Sequence, residues 1–311
     1  MYIEITILLA GLALLYFGSS MLVEGSASIA VMYAVRPVII GLTIVSLATS
    51  APELLVSLVA AVKGSGGISM GNILGSNVIN IALVLGASAI IKPVAVKKQV
   101  VTIEIPYMIF ISLVFWVLCM DSNINRLDGA ILILLLIIFL IYGLLTANDK
   151  SQKATDPATR SMAMIWKNIV YILVGIVMLA YGANLVVKVA IAMAESIGLS
   201  QTFIGLSVVA LGTSLPELAT SVVAAARGES DISVGNVVGS NLFNICLVMG
   251  VVGLFNPMSI DPSLHWFEFP FMIFICLVLG SITYIKQGVG RKSGILFIAL
   301  FFVYISVSYL K

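Results

Sequence analysis

The chain has 311 residues, of which 61% are hydrophobic and only 10% charged, with a mean hydropathy of +1.18 and a net charge of +2. A soluble fold of this size carries about 25% charged residues, so the composition excludes one and makes the bilayer the expected solvent. The 16 Lys and Arg form no long basic run, which excludes an electrostatic grip on nucleic acid.

A helix needs roughly 20 apolar residues to cross the hydrocarbon, and polar or Gly/Pro punctuation cuts the chain into ten such pieces. The first, 3–31, lacks a basic n-region and exceeds a signal-peptide core, so it is expected to be a retained span; it carries Glu24. The second, 37–62, contains Ala48-Thr49-Ser50-Ala51-Pro52-Glu53, and the third, 68–91, contains Gly71-Asn72-x-x-Gly75-Ser76-Asn77-x-x-Asn80. The fourth, 100–119, opens on Glu104-x-Pro106, and the fifth is 128–146. A polar linker at 148–165 precedes 166–194 with Lys188, 201–226 with Gly212-Thr213-Ser214-Leu215-Pro216-Glu217, and 232–254 with Gly235-Asn236-x-x-Gly239-Ser240-Asn241-x-x-Asn244. The last two are 266–285, opening on Glu268-x-Pro270, and 293–310. Cys119, Cys246 and Cys276 sit far apart in apolar runs, without metal-ligand spacing, and read as packing residues.

An offset of 164 residues aligns the two sets of five without a gap, with 26 identities in the 46 positions from Gly41–Gly86 against Gly205–Gly250. Composition alone does not produce that, so the chain is a duplication. The expected fold class is an all-α integral membrane protein of ten transmembrane helices, with repeats at 1–147 and 166–311 joined by the 148–165 linker. An odd number of spans per repeat inverts the second copy, the plan on which many secondary transporters place a midplane site between broken helices.

Ten spans put both termini on one side. Twelve basic residues then share the opposite face with the linker, against Lys63, Arg126 and Lys311 on the side of the termini. By the positive-inside rule the linker is cytoplasmic and the termini extracellular in a plasma membrane.

The chemistry concentrates in the best-matched segments. Pro52 and Pro216 cannot donate to the carbonyls of Ala48 and Gly212, which frees oxygen for a cavity. Thr49, Glu53 and Ser57, like Thr213, Glu217 and Ser221, follow i, i+4, i+8 spacing and line one helix face with oxygen. A carboxylate inside the membrane costs several kcal/mol unless it meets a cation or water. Two of them balance one Ca²⁺, which takes about six to eight oxygens; the only histidine, His265, lies at a loop edge, so soft metals are disfavoured. The Gly-x-x-x-Gly pairs permit close helix approach beside the carboxylates. Asn72, Asn77, Asn236 and Asn241 serve packing or ligation equally well. Glu24 and Lys188, equivalent under the offset, read as snorkelling or mutually paired, and Glu104 and Glu268 as helix-end residues.

At these segments the chain resembles the sodium/calcium exchangers, members of the cation/calcium antiporter superfamily with G-T-S-x-P-E followed by G-S-N-x-x-N. The resemblance covers essentially the whole chain and points to a compact prokaryotic member; Ala48 departs from the pattern without removing a side-chain ligand. It implies that Glu53 and Glu217 are central ligands, that Thr49 and Thr213 give backbone carbonyls to Ca²⁺, and that Ser76, Ser240, Asn80 and Asn244 help form Na⁺ sites. Ser46 and Ala210 are expected to offer carbonyls to outer Na⁺ positions. It also implies that spans one and six slide against the remaining core. The expected function is Na⁺/Ca²⁺ antiport by alternating access, with no cofactor beyond the transported ions and no obligatory protein partner, hence a monomer. The alternative is a Ca²⁺/H⁺ antiporter, since protons discharge the same carboxylates. An intramembrane hydrolase lacks its paired Asp, Ser with His or His-Glu-x-x-His, and a channel is distinguished by its faster flux.

Overall fold

A computed structural model describes residues 2–147, 161–196 and 210–310 of the chain. The helices are α1 (Tyr2–Tyr33), α2 (Pro37–Thr49), α3 (Ala51–Val62), α4 (Gly66–Ile91), α5 (Val100–Leu118) and α6 (Arg126–Leu145) in the first half. The second half has α7 (Met162–Ser196), α8 (Ala210–Thr213), α9 (Leu215–Arg227), α10 (Ser230–Phe255), α11 (Glu268–Lys286) and α12 (Arg291–Leu310). Eight described helices are long and apolar enough to cross a membrane, and α2 with α3 makes a ninth, bent by 45° at Ser50. Most of the expected linker, and residues 201–209 of the expected seventh span, lie outside the described residues. α7 begins at Met162, four residues before the expected boundary.

Buried polarity orders the helices. The most apolar windows of α4 and α10 are 83% buried although both are rich in Gly, Ser and Asn, whereas those of α1 and α7 are only 28% buried. Small side chains explain the difference, because they let backbones meet at the centre where the polar atoms find partners. A Cβ on Gly235 of α10 would stand 2.6 Å from Val38 O and 3.0 Å from Gly41 Cα of α2, so no other residue fits that crossing unchanged. On the lipid-facing side α1 packs along α7, with Gly18 against the Gly175 carbonyl and Gly11 against that of Gly182. Each of those pairs maps onto the other under the 164-residue offset.

The loops sort into two ends. At one, β1 (Val94–Ala95) pairs antiparallel with β4 (Gly288–Val289), Lys97 reaches Asp231 at 2.6 Å, and Arg291 donates to Ile90 O at 3.1 Å. At the other, β2 (Asn123–Ile124) pairs with β3 (Met258–Ser259), and Asn256 donates to Ala61 O at 2.7 Å. This is the sorting that successive crossings produce, and among the described basic residues predicted to share a side, Lys92, Lys97 and Arg291 lie at the first end.

Candidate cation site

The break in α2–α3 places the first acid. Ser50 leaves the helical range (φ −81°, ψ 4°), α3 restarts at Ala51 with Pro52 in its first turn, and Glu53 follows at the third helical position. Ser214, Pro216 and Glu217 repeat the arrangement at the start of α9. Free N–H groups and the positive end of the helix dipole favour a carboxylate at both places. Both Glu side chains are completely buried, and neither forms an ion pair with a described Lys or Arg.

Hydroxyls from both halves converge on the acids. Ser76 Oγ of α4 donates to Glu53 Oε1 at 3.4 Å, and Ser240 Oγ of α10 to Glu217 Oε1 at 3.5 Å. Across the halves, Ser214 Oγ donates to Glu53 Oε1 at 3.3 Å and Ser50 Oγ to Glu217 Oε1 at 3.2 Å. The two acids thus share one cluster, and each is held partly by the residue at the other's helix break. Ser50 and Ser214 were not among the expected ligands. Their only signal is their place between Thr and Pro in the repeated motif.

A second ring supports the first. Thr49 Oγ1 donates to Asn236 Oδ1 at 3.1 Å while Asn236 Nδ2 donates to Ser221 Oγ at 2.9 Å. The counterpart runs from Thr213 Oγ1 to Asn72 Oδ1 at 3.2 Å and from Asn72 Nδ2 to Ser57 Oγ at 3.0 Å. Asn72 and Asn236 therefore spend both ends of their amides bridging α4 and α10 to the broken helices. The hydroxyls of Thr49 and Thr213 also lie 3.3 and 3.1 Å from the carbonyls of Ser46 and Ala210. Those carbonyls further accept from the N–H of Ser50 and Ser214, at 2.9 and 3.3 Å.

Beyond the acids, α4 and α10 turn from α-helix into π-helix at Asn80–Leu85 and Phe243–Met249, a local widening that recurs at functional sites. Asn80 Nδ2 donates to Asn241 Oδ1 at 3.1 Å, and Asn241 Nδ2 to Asn77 O at 3.3 Å. Among the described residues, Glu53 Oε2, Glu217 Oε2 and Asn80 Oδ1 are buried without a hydrogen-bond partner, as are both ends of the Asn77 and Asn244 amides on the same helices. An unpartnered buried polar atom costs about 1–3 kcal/mol, more when charged, so such a concentration fits a hard cation as guest. No group of three His, Cys, Asp or Glu occurs among the described residues, so most donors to such a guest are neutral.

Of the two readings for Glu24 and Lys188, mutual pairing does not hold. Glu24 pairs not with Lys188 but with Lys167 at 3.8 Å and Arg227 at 3.7 Å, and Arg227 also bonds Ser20. Glu104 lies near the start of α5, as expected, but it is fully buried and pairs with Arg36 at 3.5 Å, while Arg36 also donates to Thr146 O at 2.9 Å and Oγ1 at 3.0 Å. Both acids are answered by fixed basic partners, unlike the central pair.

Comparison with known proteins adds the following. The family model described as "Sodium/calcium exchanger protein" matches residues 3–145 and 167–310. The chain is 32% identical to the inner membrane protein YrbG of Escherichia coli, over 99% of this chain and 98% of that protein. It is 35% identical to the putative antiporter CaxA of Alkalimonas amylolytica, over 85% and 84% of the two. Its fold matches a solved sodium-calcium exchanger, NCX_Mj, soaked with Na⁺ and Ca²⁺, at a TM-score of 0.85 and 33% identity over 98% of each chain.

Proposed function

The chain belongs to the sodium/calcium exchanger family, and from that premise we propose that it exchanges Na⁺ for Ca²⁺ by alternating access, with the ions held between Glu53 and Glu217. It is a multi-pass membrane transporter and not an enzyme. The observation that carries the reading is the pair of fully buried carboxylates in one hydroxyl cluster, each with an unpartnered oxygen and no ion pair to a described Lys or Arg.

Charge then dictates coupling. With the site empty, closing it leaves two carboxylates desolvated without a counter-charge, which costs several kcal/mol per ion. One Ca²⁺ or several Na⁺ remove that cost, so the loaded protein changes orientation and the empty one does not. Glu53 and Glu217 are the central ligands in this reading, with the backbone carbonyls of Thr49 and Thr213 completing the Ca²⁺ shell. Ser76, Ser240, Asn80 and Asn244, with the carbonyls of Ser46 and Ala210, serve Na⁺. The symmetry of the contacts supports a frame of ten helices in two inverted repeats, 1–147 and 166–311, acting as a monomer. The sorting of loops supports extracellular termini and a cytoplasmic linker in the plasma membrane.

In proteoliposomes, an outward-directed Na⁺ gradient is expected to drive ⁴⁵Ca²⁺ uptake, and Glu53→Gln or Glu217→Gln to abolish it. Uptake driven by a pH gradient without Na⁺ would instead establish the proton-coupled alternative. Undiminished uptake in both variants would refute the site.

A further inference from the structure

The halves share a sequence pattern but not an environment. Val59 of α3 and Val223 of α9 are equivalent under the 164-residue offset, yet Val59 is 50% exposed and Val223 only 9%. The face of α9 is covered by α1, where Glu24 and Ser20 hold Arg227. Between α3 and α7 lies a cleft of about 250 Å³, lined by Pro52 and Val56 of α3, by Asn184 and Lys188 of α7, and by Thr213. Pro52 adjoins Glu53, and Thr213 adjoins Ser214, which bonds Glu53. The cleft therefore lies beside the acid cluster, and Lys188 stands on its Lys63 side, because α7 runs antiparallel to α1, with Gly11 against Gly182 and Gly25 against Asn168.

Charge distinguishes this cleft from its counterpart. The residue equivalent to Lys188 is Glu24, an anion held between two cations. Lys188 itself is exposed, lines the cleft and makes no ion pair with a described residue. Cations entering the cleft pass a fixed positive charge. Repulsion scales with the charge of the guest, so whatever factor Lys188 imposes on Na⁺ is squared for Ca²⁺.

We propose that Lys188 is a specificity-determining residue of the access path on the Lys63 face, where its ammonium raises the concentration of Ca²⁺ needed to load the site more than that of Na⁺. The inference rests on the exchange reading above. At about 8 Å through water, the repulsion amounts to about twofold for Na⁺ and about sixfold for Ca²⁺. Mobile ions screen it, so it shrinks as inert salt rises.

The test is ⁴⁵Ca²⁺ flux in sided vesicles, with wild type, Glu53→Gln, Lys188→Gln, Lys188→Met and Lys188→Arg compared. The expected result is that Gln and Met lower the Ca²⁺ KM up to about sixfold when Ca²⁺ is applied to the Lys63 face. Arg leaves it unchanged, KM on the opposite face stays constant, and choline chloride narrows the difference. An unchanged KM in Gln and Met, an equal change on both faces, or Arg behaving like Gln overturns the role of Lys188. If wild type then shows Na⁺-driven flux that Glu53→Gln abolishes, the exchange reading stands and only Lys188 falls. A wild type without Na⁺-driven flux overturns both.

Discussion

Glu53 and Glu217 differ from the buried Glu104 in what answers them. A guanidinium faces Glu104, whereas serine hydroxyls from α4, α10 and the two helix breaks face the central pair. A hydrogen bond to a charged group contributes about 1.5–3 kcal/mol, so Ser50→Ala or Ser214→Ala is expected to weaken Ca²⁺ binding about tenfold. Ser57→Ala, which removes only a support for Asn72, is expected to cost less; titration of flux against Ca²⁺ separates the two cases. The acids were legible in the sequence because an intramembrane carboxylate beside a proline has few structural uses. The crossing of Ser50 and Ser214 was not, since helical periodicity says which residues share a face of one helix, and these act where the helix stops. The pairing of Glu24 with Lys167 and Arg227 escaped for a similar reason: equivalence under a repeat does not make two residues neighbours.

At the scale of elements, the repeated glycines make the site possible by bringing backbones together. α6 meets the end of α10 so closely that a Cβ on Gly129 would stand 2.6 Å from both Gly250 O and Leu254 N. Backbone atoms cannot rotate aside, so Gly129→Ala is expected to destabilise the protein by about 1–3 kcal/mol. Gly290→Ala, where a Cβ meets nothing within 4 Å, serves as the control, and thermal unfolding in detergent reads the difference. The Gly-x-x-x-Gly spacing announced close approach but not its target. The bend at Ser50 was foreseeable from Pro52, whereas the π-helical turns at Asn80 and Asn244 were not, because an added residue per turn leaves no compositional mark.

For the whole molecule, the duplication was the strongest signal in the sequence, and the bonds from Ser76, Ser240, Ser50 and Ser214 to the acids repeat it, as do those joining Thr49 to Asn236 and Thr213 to Asn72. What the repeat hides is where the halves part company. Arg36 and Glu104 clamp the ends of α2, α5 and α6 at one side, so Glu104→Ala leaves a buried guanidinium without its counter-charge and is expected to cost about 3–5 kcal/mol. Replacing both partners with Leu and Met is expected to recover most of that loss, which denaturation of the single and double variants checks. The covered face of α9 against the open face of α3 is likewise invisible to an alignment of the halves, because it belongs to the orientation of the assembled protein.

The claim beneath all of this is that the two buried acids form one shared seat for the transported cations. Equilibrium binding of ⁴⁵Ca²⁺ to purified protein tests it most directly. The account predicts one Ca²⁺ per chain, displaced by Na⁺ and lost in both Glu53→Gln and Glu217→Gln. Full binding that survives either substitution, or that Na⁺ leaves untouched, would contradict it.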